Sequence, residues 1–160
     1  MDLSELKSIA SREGIPQAIV EKDYALSVVL ATLSKTPLSG KLTFKGGTAI
    51  KKIYFPKARF SEDLDFNATG ADEIEIMTGL KNAFEGKEIQ GIGFEAIKRE
   101  KTASGLQVWL KFNSFLGQPQ RVRFDFSFRD NAVLPPMERE LADGYRLESL
   151  PLRVLILEEI

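Results

Sequence analysis

The sequence predicts an α/β protein: a mixed, twisted sheet of about four to six strands, covered mainly on one face by helices. Three observations carry this reading. Two helix-forming stretches open the chain, several segments further on alternate apolar and polar residues, and glycine or proline turns separate them. With 160 residues, 43% of them apolar and 28% charged, the chain can bury a core and has the composition of a soluble globular protein.

Asp2 followed by Glu5 has the pattern of a capping box and Gly14 that of a stop, which predicts a helix over 3–13. Pro16 suits a first helical turn, so a second helix is expected over 16–33. "PLSGKL" is a turn and "LTF" (42–44) a short strand. "KGGTAIKKIYF" then supplies a glycine bend and a helix over 48–55, ended by Pro56. Residues 57–61 read as a loop, 62–67 as a strand and 72–85 as a surface helix. "GFEAIKRE" and "GLQVWLKF" alternate as strands around the polar turn "KTASG".

"QRVRFDFSF" (120–128) is the clearest strand. Val122, Phe124, Phe126 and Phe128 share one face, expected to lie under helices. Arg121, Arg123, Asp125 and Ser127 share the other, expected to line an open cleft. Residues 129–144 read as a partly ordered loop. Leu152 to Ile160 read as the start of an apolar helix without a stop signal, as a shortened chain or a docked C-terminal helix would show. The expected organisation is one unit over 1–160, with N-terminal helices (1–35), a central core (36–130) and a tail (131–160).

Composition narrows the chemistry. Without cysteine or histidine, the chain has no disulfide, no thiolate metal site and no Ser-His or Cys-His catalysis. A metal would be held by oxygen, which favours magnesium, manganese or calcium over zinc. The net charge of -1 gives no bulk basic field, although 22 Lys and Arg can still form a local patch. The charged N-terminal stretch is not a signal peptide, and no apolar run has membrane-spanning length; a cytoplasmic location is the default expectation.

"RFSEDLDF" (59–66) poses the functional question. Strand alternation puts Asp63 and Asp65 on one face, where two carboxylates at ~6 Å repel by roughly 2–3 kcal/mol at an effective dielectric of ~20. Fifteen residues upstream of Asp63, Gly46-Gly47-Thr48 joins a strand to a helix, a place where small residues let peptide N–H groups approach phosphate. Asp125 lies far downstream on a polar strand face. Together these residues suggest a divalent-ion and triphosphate centre for in-line phosphoryl transfer. Taken singly they are ordinary: Gly-Gly makes turns, Asp-x-Asp lies on solvent edges, Asp125 can be the wet side of a sheet, Arg59 and Ser61 can be loop residues, and Lys45, Lys51 and Lys52 read as a solvated face.

"FKGGTAIKKIY…RFSEDLDF", with "EKDYALSVVL" upstream, closely resembles the AbiEii/AbiGii nucleotidyltransferase toxins, which include the MenT toxins and belong to the DNA polymerase β-like nucleotidyltransferase superfamily. The resemblance runs from about Glu21 to Asp125 and more weakly beyond. It implies the nucleotidyltransferase fold, a Mg²⁺ or Mn²⁺ cofactor and NTP as substrate. By motif, Asp63 and Asp65 become metal-binding catalytic carboxylates and Asp125 the third. Gly46, Gly47 and Thr48 become the phosphate cradle; Arg59 and Ser61 line the same pocket, and Lys51 joins the nucleotide-binding candidates. The acceptor implied is one such as the tRNA 3′ end, in a toxin–antitoxin or phage-defence setting with a cognate antitoxin. The family continues into a helical region carrying a phosphate-binding lysine beyond "LEEI", and this sequence stops there. A catalytically incomplete module that binds nucleotide, RNA or a partner is therefore the alternative expectation, as is assembly with a separate C-terminal subunit.

Overall fold

The computed structural model of the chain describes residues 1–129 and 134–160. The chain begins with α1 (Leu3–Glu13), whose capping box is complete: the Glu5 N–H donates to Asp2 Oδ1 at 2.9 Å and the Asp2 N–H to Glu5 Oε2 at 3.1 Å. Gly14, at φ 68°, closes it in the left-handed conformation that glycine adopts without a Cβ penalty. α2 (Gln17–Ser34) is buried on nearly all sides, and it carries Glu21, Asp23 and Ser27 inward along with its apolar residues. Buried polar groups of this kind require partners, and those of Asp23 and Ser27 bear on the site below.

β1 (Leu42–Lys45) leads into the short helical turn α3 (Gly46–Ala49), continued by a wider π-type segment over Ile50–Tyr54. There the Phe55 N–H reaches five residues back to the Ile50 carbonyl at 2.7 Å. Next come β2 (Asp63–Ala68) and α4 (Glu73–Phe84). The remaining strands are β3 (Glu88–Ile89), β4 (Ile92–Lys101), β5 (Gly105–Asn113), β6 (Pro119–Ser127), β7 (Met137–Arg139) and β8 (Leu152–Val154).

These strands form one mixed sheet in the order β3-β4-β5-β6-β2-β1-β8-β7. Its centre is the parallel pair β2–β6; β1 runs antiparallel to β2 and parallel to β8. Alternate residues of the strands, including Phe44, Phe66, Leu64, Val108, Leu110, Phe124 and Phe126, are fully or almost fully buried and join one core with α2 and α4. Phe44, Phe66, Phe126 and Phe124 stack in sequence across three strands, with ring centroids 5.3, 5.7 and 5.8 Å apart. The helices thus cover this one face, and the intervening polar residues occupy the opposite one.

Several expectations need correction. Among the described residues the sheet has eight strands rather than four to six, because β3, β7 and β8 span only two or three residues and show no readable period. Leu152–Ile160 does not open a helix. Leu152 and Val154 insert into the core as β8, the Leu155 N–H donates to the Phe44 carbonyl at 3.0 Å, and a single 3₁₀ turn follows over Leu157–Glu159. The free side of β1 offers backbone partners, and that tertiary pairing overrides local helix preference. Phe128 lies beyond the end of β6 and is 40% exposed, so the core face of that strand ends at Phe126. The loop expected over 129–144 contains β7, and its residues 130–133 lie outside the described residues. No helix among the described residues is long and apolar enough to cross a membrane.

Candidate active site

The parallel register of β2 and β6 places Asp63 beside Arg123 and Asp65 beside Asp125. Three carboxylates from two distant segments of the chain therefore share one patch of the sheet face not covered by helices. Arg123 lies among them: its Nη2 is 3.0 Å from Asp63 Oδ2, and its Nε is 3.1 Å from Asp125 Oδ2. Asp65, half-buried, has its carboxyl raised above the ordinary range. Burial is the main cause, followed by the charges of Asp125 and Asp63; Lys45 and Arg123 oppose the shift. Lys45 is the register partner of Asp65 on β1.

The glycine bend closes the patch from the β1 side. Gly46 has φ +84°, and a Cβ there would stand 2.6 Å from Asp65 Oδ2. Both the left-handed backbone and the lack of space call for glycine. Gly47 lies against Ser61, whose Oγ would be 3.4 Å from an added Cβ. Thr48 is 1% exposed; its hydroxyl bonds the Asp63 main-chain carbonyl and lies 2.8 Å from Ser61 Oγ. The bend is thereby tied directly to the strand that carries the carboxylates.

Lys51 and Lys52 depart from the solvated face expected of them. Lys51 is 7% exposed; its ammonium donates to the carbonyls of Pro56 at 2.8 Å and Ala58 at 3.0 Å and lies 4.2 Å from the Phe60 ring centroid. It thus fixes the loop that presents Arg59 and Ser61. Arg59 itself is exposed. Lys52 is fully buried. Its Nζ is 2.7 Å from Asp23 Oδ1, 2.7 Å from Ser27 Oγ and 3.5 Å from Asp143 Oδ2. Tyr145 donates to Asp23 Oδ2 at 2.6 Å; burial, then the Asp23 charge, raise its phenol. This cluster joins α2, the helical segment behind the glycine bend, and the 141–145 segment.

The donor set suits a hard divalent cation: only oxygens, with Asp65 destabilised in its charged form until positive charge arrives. Among the described residues no three Asp or Glu side chains already converge on a single ion position, and Arg123 holds the space between Asp63 and Asp125. The residues therefore fit a cation by chemistry and by sheet register, with Arg123 carrying the positive charge that an ion would take over.

Residues 28–160 match the family described as nucleotidyl transferase AbiEii toxin, type IV TA system. The chain belongs to the AbiEii family. Its fold is similar to that of MenT4, a nucleotidyltransferase toxin from Mycobacterium tuberculosis, with a TM-score of 0.71 and 24% identity over 88% of this chain and 50% of that one. The AbiEii-family chain here thus spans about half the length of MenT4. No curated protein sequence matches it significantly.

Of the expected site residues, Asp63, Asp65, Asp125, Gly46, Gly47, Thr48 and Ser61 lie together. Lys51 points away from the carboxylates, into the 56–60 loop. Arg123 was legible only as a member of a polar strand face; its role between two carboxylates needed the β2–β6 register. Asp23, Ser27 and Lys52 fall within the two motifs that carry the family resemblance, but nothing in the sequence shows that these segments meet each other and Asp143.

Proposed function

We propose that this chain is a nucleotidyltransferase that moves a nucleotide from an NTP to a hydroxyl of an acceptor such as the tRNA 3′ end. The observation that carries this reading is Asp65 and Asp125 side by side on the parallel pair β2–β6, with Gly46 packed against Asp65. Asp63 and Asp65 would hold Mg²⁺ or Mn²⁺, with Asp125 as the third ligand. A bound divalent ion supplies charge neutralisation for the phosphates and the leaving group. The Gly46-Gly47 bend receives the phosphates on its peptide N–H groups. Asp125 takes the proton of the acceptor hydroxyl as its oxygen bonds to the α-phosphorus and pyrophosphate departs. Arg59 and Ser61 line the nucleotide pocket, while Thr48 and Lys51 hold the bend and its facing loop in shape.

The setting of this activity is a cytoplasmic toxin controlled by a cognate antitoxin, in a toxin–antitoxin or phage-defence system. The test is incubation of the chain with each radiolabelled NTP, Mg²⁺ or Mn²⁺, and total tRNA. Label should enter RNA and should disappear with Asp65→Asn. A second reading, a module that binds nucleotide without chemistry, draws on the Arg123 ion pairs, in which one guanidinium already engages two of the three carboxylates. Saturable NTP binding with no transfer under any of these conditions would select it.

A further inference from the structure

Trp109 is the sole tryptophan of the chain. It sits on β5, on the same uncovered sheet face as the carboxylates. Its neighbours on its own strand, Val108 and Leu110, are fully buried on the helix side, whereas Trp109 is half-buried on the other. Across β6 its register partner is Arg123, and Gln107 is the partner of Asp125. Across β4 its partner is the exposed Lys98. Lys111 follows two positions along β5, opposite the exposed Arg121. The indole is therefore one strand spacing, about 4.8 Å, from the strand of Asp125 and about twice that from the strand of Asp63 and Asp65.

The charges around it are partly free. Lys111 pairs with Glu95 at 3.1 Å, and Arg123 is engaged by Asp63 and Asp125. Glu100 lies further along β4, opposite Gln107. Among the described residues, Lys98 and Arg121 have no carboxylate partner, and they stand on the two strands that flank the indole. A half-open aromatic with free cations on both sides matches a single-stranded nucleic acid, whose bases stack on the ring and whose phosphates follow the cations. An acidic peptide would use the cations and leave the indole without a role.

We propose that Trp109, flanked by Lys98 and Arg121, forms the subsite that holds the single-stranded 3′ segment of an RNA acceptor and directs its terminal hydroxyl toward Asp125. This rests on the nucleotidyltransferase reading for the role of the hydroxyl; the binding itself does not. A base close behind the reacting terminus stacks on the indole, and the adjacent phosphates lie along Lys98 and Arg121.

The probe is an unstructured oligoribonucleotide of about eight nucleotides, within the range of single-strand site sizes. It is titrated into the whole chain without NTP, reading Trp109 emission and, with a labelled copy, anisotropy. The expected result is saturable quenching with the same midpoint as the anisotropy change. Trp109→Ala weakens binding by about five- to a hundredfold, while Trp109→Phe retains most of it. Lys98→Gln combined with Arg121→Gln lowers the slope of log K against log salt by about 1.4. Binding without any change in Trp109 emission, or equal binding by a Trp109→Ala protein with an unchanged circular dichroism spectrum, overturns the proposal. So does equal quenching by polyglutamate. Asp65→Asn should abolish nucleotide transfer without weakening the oligonucleotide. If the wild type shows quenching and no transfer with any NTP, the subsite stands and the enzymatic reading falls.

Discussion

In Lys52→Met the chain would keep two carboxylates in its interior and lose the cation between them. The Asp23 and Asp143 side chains are 6% and 13% exposed, and the Lys52 side chain is 0% exposed. Methionine fills much of the lysine volume but offers nothing to Asp23 Oδ1, which loses a partner at 2.7 Å. Removing one member of a buried ion pair typically costs about 3–5 kcal/mol, because the remaining charge is left uncompensated. At about 2–4 °C per kcal/mol for a chain of this size, the melting temperature should fall by about 6–20 °C. Adding Asp23→Asn and Asp143→Asn should restore most of the stability, since no unpaired charge then remains. Urea unfolding followed by circular dichroism measures each protein. A loss below about 1 kcal/mol in Lys52→Met, or an equal loss in the triple variant, would refute the assignment of Lys52 as the counter-charge of this cluster.

Two further outcomes follow from the local geometry. Gly46→Ala should cost about 1–3 kcal/mol of stability in urea unfolding, because φ is +84° and the new Cβ meets Asp65 Oδ2; Gly47→Ala, with 3.4 Å to Ser61 Oγ, should lie near wild type. Glu21 is fully buried and its carboxyl is raised above 4.5, by burial first, against the peptide N–H groups of Phe115 and Leu116 and the Gln120 amide. A raised acid binds its proton more readily when folded, so its contribution is most favourable below about pH 4.5 and is lost as the pH rises through the folded value. Glu21→Gln should therefore gain stability relative to wild type between pH 4.5 and 7 in paired melting curves; a pH-independent difference would contradict this.

Much of the architecture was readable because strong local chemistry agreed with tertiary structure. The Asp2–Glu5 box, the Gly14 stop and the alternation of β5 and β6 are local signals that packing reinforced. β8 leaves no local signal because its three residues form a strand only by pairing with β1 at Phe44. The site was legible in parts. Strand period alone put Asp63 and Asp65 on one face, but nothing local to Asp125 shows that β6 lies next to β2. The lysines misled for a related reason: Lys51 and Lys52 are polar in isolation, and only the loop carbonyls of 56–58 and the carboxylates of Asp23 and Asp143 make burial tolerable. Arg123 acquires its meaning from the same register that assembles the carboxylates.

Manganese binding in the presence of NTP, read by electron paramagnetic resonance as loss of the free-ion signal, tests the joint carboxylate site most directly. Wild type should bind the ion, and Asp63→Asn, Asp65→Asn and Asp125→Asn should each weaken it by about tenfold or more, a loss of about 1.4 kcal/mol. Unaltered binding in both Asp65→Asn and Asp125→Asn would show that the paired strands β2 and β6 do not build a common metal centre.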